Sequence, residues 1–370
     1  MKILITGAHG FIGSNLLYQL RNDGFNDIIT FNHDNTFDEL AADLAQADFV
    51  FHLAGINRPK DPKDFYAGNR DLTTKIVEIL TKQAQRHVPV LLASSIQADL
   101  DNDYGKSKKA AETAVFAYGQ QTQTPVYVFR LSNLFGKWGR PNYNSVVATF
   151  CYNLARDLPI KVNDPNHQIV LNYIDDVVNT FISVMKSGTQ ATDKYLSVPN
   201  EHPITLGELA AKLTAFAKNR QTLVMPSLAT DLDKELYGTY LSYLPDDDLA
   251  YPLNKKSDKR GWLAEFIKST ANGQIFISTT HPGITRGNHW HQTKTEKFLV
   301  LSGNGVVHLR KVGTDKVLSY PVDGTHPQPV DIPTGYVHNI ENTGNTDMIT
   351  LFWASEIFDP DHPDTYYEEV

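Results

Sequence analysis

The spacing of apolar residues changes once along this chain, and that change rules out a single uniform fold. Before Pro245, strand-length apolar runs such as Ile3–Ile5 and Val90–Ala93 alternate with longer stretches of helical character. This alternation predicts a parallel sheet wound with crossover helices. After Lys256 the runs are short and separated by Gly, Pro, Asn and Asp, as an all-β barrel requires. The intervening Pro245–Lys256 is charged, contains Pro245 and Pro252, and lacks a helical period, which sets domains at 1–248 and 249–370. At 370 residues the chain is long enough for two cores.

The chain opens M-K-I-L-I-T-G-A-H-G-F-I-G, an apolar run followed by a turn with Gly7, Gly10 and Gly13 and then a helical stretch. Such a turn lets backbone N–H groups approach a pyrophosphate, and the helix N-terminus favours its negative charge. Gly7, Gly10, Phe11, Ile12 and Gly13 are therefore cofactor-binding candidates. A second constellation follows: Val90–Ser95 reads as a buried strand ending in Ser94 and Ser95, and Tyr104 and Lys108 then share one helix face. A nearby ammonium stabilises a phenolate, making Tyr104 a usable acid or base. A strand-end serine hydroxyl is placed to hydrogen-bond the reacting oxygen.

These motifs resemble the extended short-chain dehydrogenase/reductase family, a Rossmann-like, doubly wound α/β fold. The resemblance implies that Tyr104 is the catalytic acid, Lys108 its partner, and Ser95, with Ser94 in reserve, the serine. Asp48–Gly55 resembles the family's strand-four motif, which puts Leu53, Ala54 and Gly55 against the cofactor; Asn69 falls where the family has its helix asparagine. Arg130–Gly136 resembles the segment that contacts a nucleotide sugar, implicating Asn133, and Asn172–Val177 resembles a later motif of the substrate half. Lys137 and Arg140 are cations placed to pair with a UDP diphosphate. An acidic residue usually ends the second strand and binds the ribose of NAD. Here Asn32 stands there, followed by His33 and Asp34, which leans the cofactor towards NADPH.

The C-terminal half carries a different signature, G-I-T-R-G-N-H-W-H-Q-T-K-T-E-K-F from Gly283, with His338 following in P-T-G-Y-V-H-N-I-E-N. On a strand, His289 and His291 point to the same face. With Glu296 and His338 they form a His₃Glu set suited to zinc or another divalent first-row metal. Gly283, His289, His291, Glu296, Gly303, Pro333, Gly335, His338 and Asn342 resemble the two motifs of the cupin family, which implies an all-β cupin barrel with the metal inside.

The single cysteine, Cys151, excludes an intrachain disulfide and fits a reducing cytoplasm. The net charge of −8 without a basic cluster argues against nucleic acid. No apolar run reaches the ~18 residues of a membrane helix, and the opening run reads as a strand and not a signal peptide.

Together the halves resemble a family of bifunctional bacterial enzymes of capsule precursor synthesis, through H-L-A-G-I-N-R-P around Arg58, F-G-K-W-G-R-P-N-Y-N-S-V from Phe135, and the P-D-T-Y near the C-terminus. The resemblance implies C3 epimerisation of a UDP-4-keto-6-deoxy amino sugar by the cupin domain and NADPH reduction at C4 by the first domain. The expected product is UDP-2-acetamido-2,6-dideoxy-L-talose. Lys294, Lys297 and His308 are candidates for the epimerase acid and base. The alternative is a single-function reductase or epimerase whose cupin is a metal-clamped dimerisation module; a homodimer is expected under either reading.

Overall fold

The computed structural model describes residues 1–83, 86–188 and 193–370. The chain forms two compact units, Met1–Thr214 with Thr230–Pro245, and Ala215–Ala229 with Asp246–Val370.

The first unit is built on a parallel sheet of β1 (Ile3–Thr6), β2 (Ile28–Phe31), β3 (Phe49–His52), β4 (Val90–Ser95) and β5 (Val126–Leu131), in the order β2-β1-β3-β4-β5. Strand side chains alternate between faces, and here both faces are apolar. Ile3, Ile5, Phe49, Phe51, Leu91, Tyr127 and Phe129 belong to one core. Leu4, Val50, Val90, Leu92, Val126 and Val128 belong to the other. Helices cover both faces, which is why these strands read as continuous apolar runs. The strand order reverses between β1 and β3, and in open α/β sheets ligands bind at such a switch point. The family's strand-four motif is thus the third strand of this chain. A smaller sheet of β6 (Asn133–Phe135), β7 (Gln168–Tyr173) and β8 (His202–Thr205) completes this unit.

The second unit is antiparallel. One sheet joins β9 (Lys255–Asp258), β10 (Gly261–Ser269), β11 (Gly273–Thr280), β13 (Glu296–Ser302), β16 (Val330–Ile332) and β18 (Met348–Ala354). The other joins β12 (Thr285–Trp290), β14 (Asn304–Lys311), β15 (Val317–Asp323), β17 (Tyr336–Asn342) and β19 (Tyr366–Tyr367). Phe298, Val300, Met348 and Phe352 of the first sheet share a core with Val307, Leu309, Val322 and Ile340 of the second. The segment 215–229 joins this unit through Leu223 and Met225, whose backbones hydrogen-bond Lys268 at 2.8 and 2.7 Å. That excursion has no compositional signature in the sequence.

Candidate functional site

In the first unit the glycine turn closes tightly on the end of β3. A Cβ on Gly7, whose φ is +73°, would lie 2.7 Å from the Ala54 nitrogen, and one on Gly13 would lie 2.2 Å from the Gly7 carbonyl oxygen. Gly10 caps the helix Phe11–Asn22 without a side-chain hydrogen bond, so no side chain covers its first N–H groups. This is a cradle for a phosphate. A buried hydrogen-bond chain fixes the β3 end: Thr6 Oγ1 to His52 Nδ1 at 2.7 Å, His52 Nε2 to Thr73 Oγ1 at 2.7 Å, and Thr73 Oγ1 to the Asn69 carbonyl at 2.5 Å. Burial, reinforced by Lys108, pushes His52 down to about 3, so its ring is neutral.

Asn69 sits in a π-helical stretch, Tyr66–Asp71, a distortion that often marks a functional site. It accepts the Ile56 N–H at 2.9 Å and donates to the Ile56 carbonyl and the Ser107 hydroxyl, both at 3.0 Å. It therefore braces the loop after Gly55 from beneath and does not line the cavity itself.

Tyr104 and Lys108 lie on the helix Asp103–Thr122, whose first turn is fixed by Asn102 accepting the Gly105 N–H at 2.8 Å. With Ser95, the glycine turn, Leu53, Gly55, Asn133 and Arg140 they line a cavity of about 740 Å³. Lys108 is buried, donates to the Ala93 carbonyl at 3.0 Å, and is pushed down by burial to about 8. The sequence predicts that Lys108 lowers the Tyr104 phenol. Instead burial raises it above its ordinary value, and the Ser95 hydroxyl only partly offsets this. The two serines divide their roles. Ser94 is buried and donates to Glu112 at 2.5 Å, and Glu112 in turn accepts Arg130 at 2.8 and 3.0 Å. Ser95 is left facing the phenol.

Other expected residues lie apart from this cavity. Asn32 accepts the His9 N–H at 3.1 Å and so steadies the glycine turn, while His33 is exposed beside Asp34 at 3.0 Å. Lys137 pairs with Asp175 and lies 5.5 Å from the Trp138 ring. Tyr143, Trp138 and Arg58 do line the cavity; they belong to the two distinctive stretches around Arg58 and from Phe135, although nothing in the sequence assigned them a role of their own. Cys151 is buried, and burial raises its thiol.

In the second unit the ligand atoms of His289, His291, Glu296 and His338 all lie within 4.8 Å of one another. His289 and His338 are register partners across β12 and β17, and a bulge at Asn288, with Gly287 at φ +102°, sets the turn of the strand before His289. His291 lies one residue past β12, and Glu296 opens β13. The Nε2 atoms of His291 and His338 are buried, lack a hydrogen-bond partner among the described residues, and lie 3.4 and 3.2 Å from Glu296 Oε2. Burial alone would raise the Glu296 carboxyl, but His291 and His338 hold it well below the usual carboxylate range. Burial, with His338 and His291 alongside, pushes His289 down to about 4, leaving a neutral ring. The neutral His289 ring, the ionised Glu296 carboxylate and the partnerless Nε2 atoms of His291 and His338 converge in a set that fits a divalent metal.

Two of the expected acid/base residues face elsewhere. Lys297 alternates outward from Glu296 and pairs with exposed Asp331, and His308, opposite Asn339, bonds Ser319 at 2.9 Å on the outer face. Lys294 is buried, and its ammonium donates to the Pro363 carbonyl at 3.4 Å. Arg286 was not foreseen. It pairs in register with core residue Ile340, reaches the other sheet to donate to the Thr279 carbonyl at 3.1 Å, and has a buried Nε without a partner among the described residues.

Residues 3–195 match the NAD dependent epimerase/dehydratase family, and residues 256–366 match the polysaccharide biosynthesis C-terminal domain. Over 366 residues the chain is 43% identical to the UDP-2-acetamido-2,6-beta-L-arabino-hexul-4-ose reductase of Pseudomonas aeruginosa, covering 99% of this chain and 98% of that protein. The chain belongs to the NAD-dependent epimerase/dehydratase family. It is of the CapF type: the crystal structure of the capsular polysaccharide assembling protein CapF from Staphylococcus aureus covers 100% of both chains at 46% identity, with a TM-score of 0.93. The chain is also similar to the spore coat polysaccharide biosynthesis protein SpsL of Bacillus subtilis, 26% identical over 122 residues, covering 30% of this chain and 81% of that protein. Family membership implies a nicotinamide cofactor, which the glycine cradle fits.

Proposed function

We propose that this protein is a bifunctional nucleotide-sugar enzyme of capsule precursor synthesis. Its second unit, a cupin, inverts C3 of a UDP-4-keto-6-deoxy-N-acetylhexosamine, and its first unit reduces C4 to give UDP-2-acetamido-2,6-dideoxy-L-talose, on the route to UDP-N-acetyl-L-fucosamine. The observation that carries the reduction is the convergence of Ser95, Tyr104 and Lys108 with the glycine cradle on one cavity, alongside a full-length relative named as a hexulose reductase. Bound NADPH would supply the hydride for C4. The Ser95 hydroxyl holds the C4 oxygen and Tyr104 protonates it; a phenol whose proton is held by burial suits an acid in this direction. Asn32, in place of an acidic residue, supports NADPH over NADH, a preference that the ratio of kcat/KM values measures directly.

The C3 proton is acidic because C4 is a ketone, so its removal leaves an enolate that is reprotonated on the other face. The four-residue cluster in the second unit would hold zinc, which would supply Lewis-acid charge to polarise a carbonyl or fix the ligand strands. The open edge strand β15 exposes Val317 and Tyr320, which supports self-association as a homodimer; sedimentation of the purified protein tests this.

The deciding experiment is proton NMR of the keto sugar with enzyme in D₂O, without nicotinamide. The expected result is loss of the C3 proton signal, abolished by His289→Ala. Tyr104→Phe should retain this exchange while losing NADPH oxidation by roughly 10²–10⁴-fold, the range for removing a general acid. Absence of exchange in metal-loaded wild type would leave a reductase with a structural barrel. Loss of both activities in Tyr104→Phe would contradict the division of labour.

A further inference from the structure

The segment Pro363–Glu369 folds back onto the strand that carries the first metal-ligand candidate. Tyr366 and Tyr367 of β19 pair antiparallel with Trp290 and His289 of β12. Tyr366 stacks on Trp290 with ring centroids 4.7 Å apart, and the Glu368 N–H donates to the Asn288 carbonyl at 3.1 Å. Arg310 fastens the far end, donating to the Glu368 carboxylate and the Glu369 carbonyl, both at 2.6 Å.

At the near end, Asp364 touches the cluster in two ways. Its carbonyl oxygen lies 2.6 Å from His291 Nδ1. A carbonyl only accepts, so Nδ1 carries a proton, and in the neutral ring the lone pair is then on Nε2, the atom facing Glu296. This is the tautomer a metal ligand needs, and a hydrogen bond to the other ring nitrogen is how metal-binding histidines are oriented. Its carboxylate accepts the backbone N–H groups of Gln292 at 2.9 Å, Thr293 at 3.0 Å and Lys294 at 3.0 Å, and the Thr293 hydroxyl at 3.1 Å. These residues form the turn between His291 and Glu296, so one carboxylate fixes the geometry connecting two ligand candidates. Asp364 adopts φ +35°, a left-handed backbone rare outside glycine. The surrounding contacts hold it there, and both of its oxygen-bearing groups meet the cluster in that conformation.

We propose that Asp364 is a positioning residue for the metal centre. Its carbonyl selects the His291 tautomer, its carboxylate sets the Gln292–Lys294 turn, and segment 363–369 is thereby an integral part of the site. This rests on reading the four-residue cluster as a metal site. Binding linkage is reciprocal: a docked segment tightens metal binding, and bound metal holds the segment down.

The test uses the full-length protein with zinc and cobalt(II) as probes. Zinc affinity is measured by competition with a chromophoric chelator, and ligand geometry is read from the cobalt absorption spectrum. Asp364→Ala should weaken zinc binding roughly 10–100-fold, the usual cost of losing a group that orients a ligand, and should alter the cobalt spectrum. Asp364→Asn, which keeps one acceptor oxygen for the turn, should recover part of the affinity and most of the spectrum. In wild type, zinc should slow proteolytic cleavage around residues 359–365, a readout independent of how the variants fold. Wild-type affinity and spectrum in Asp364→Ala, or cleavage indifferent to zinc in a protein that binds it, would overturn the proposal. A wild type that takes up neither zinc nor cobalt would instead sink the metal reading, and the proposal with it.

Discussion

Lys108 carries the clearest pH consequence. Burial places its ammonium at about 8, while the Tyr104 phenol lies above its ordinary value. If the reduction needs the charged lysine, the rate is full well below pH 8 and falls as pH rises through about 8, when Lys108 loses its proton. Lys108→Arg, charged across the whole range, should lower the rate but remove that alkaline limb. A limb appearing only above pH 10 would belong to Tyr104 and would contradict this assignment. That Tyr104 and Lys108 line one cavity was legible because they lie four residues apart on one helix, where spacing sets a shared face. The division between Ser94 and Ser95 was not, because it depends on Glu112 and Arg130, which meet Ser94 only when β4, β5 and the helix Asp103–Thr122 pack together.

Strands β12 and β17 show how a ligand set is built from alternation plus one defect. His289 and His338 face each other across the pair, and the bulge at Asn288 depends on Gly287 at φ +102°, where a Cβ would lie 2.8 Å from both the Asn339 Cα and the His338 carbonyl oxygen. Gly287→Ala should therefore destabilise the second unit by roughly 1–3 kcal/mol, the cost of a strained backbone position, and reduce zinc per chain. Differential scanning calorimetry with metal analysis reads both; an unchanged transition and full metal content would show that the strand adapts freely. The four ligand candidates were visible in the sequence because their chemistry fixes residue type and their strands fix local spacing. The outward aim of Lys297 follows from Glu296 by alternation, whereas that of His308 was not visible, since one residue of register decides the face. Asp364 was invisible for another reason: it reaches the cluster from a segment with no apolar period.

The division into two units bears on any attempt to separate the activities. Composition places the boundary after residue 248, but Ala215–Ala229 lies with the second unit and pairs with Lys268. A fragment 215–370 should therefore melt at a higher temperature than a fragment 249–370, and equal melting temperatures would show that the excursion adds nothing to stability. The parallel sheet and the antiparallel unit were both legible, because alternation of strand and helix periods and the later run of short strands each leave a long statistical trace. The excursion leaves none, being held by backbone hydrogen bonds to Lys268 and by isolated side-chain contacts such as Arg220 with Asp248 at 2.8 Å and with the Tyr251 ring at 4.8 Å. The docking of Pro363–Glu369 on β12 also has a consequence in time. Synthesis is vectorial, so all four ligand candidates emerge from the ribosome before Asp364 does. A nascent chain then holds the ligands without the contacts that aim His291. On the proposed role of Asp364, correct metal loading would be a late step of biogenesis, timed by the arrival of residue 364 and not by the appearance of the ligands.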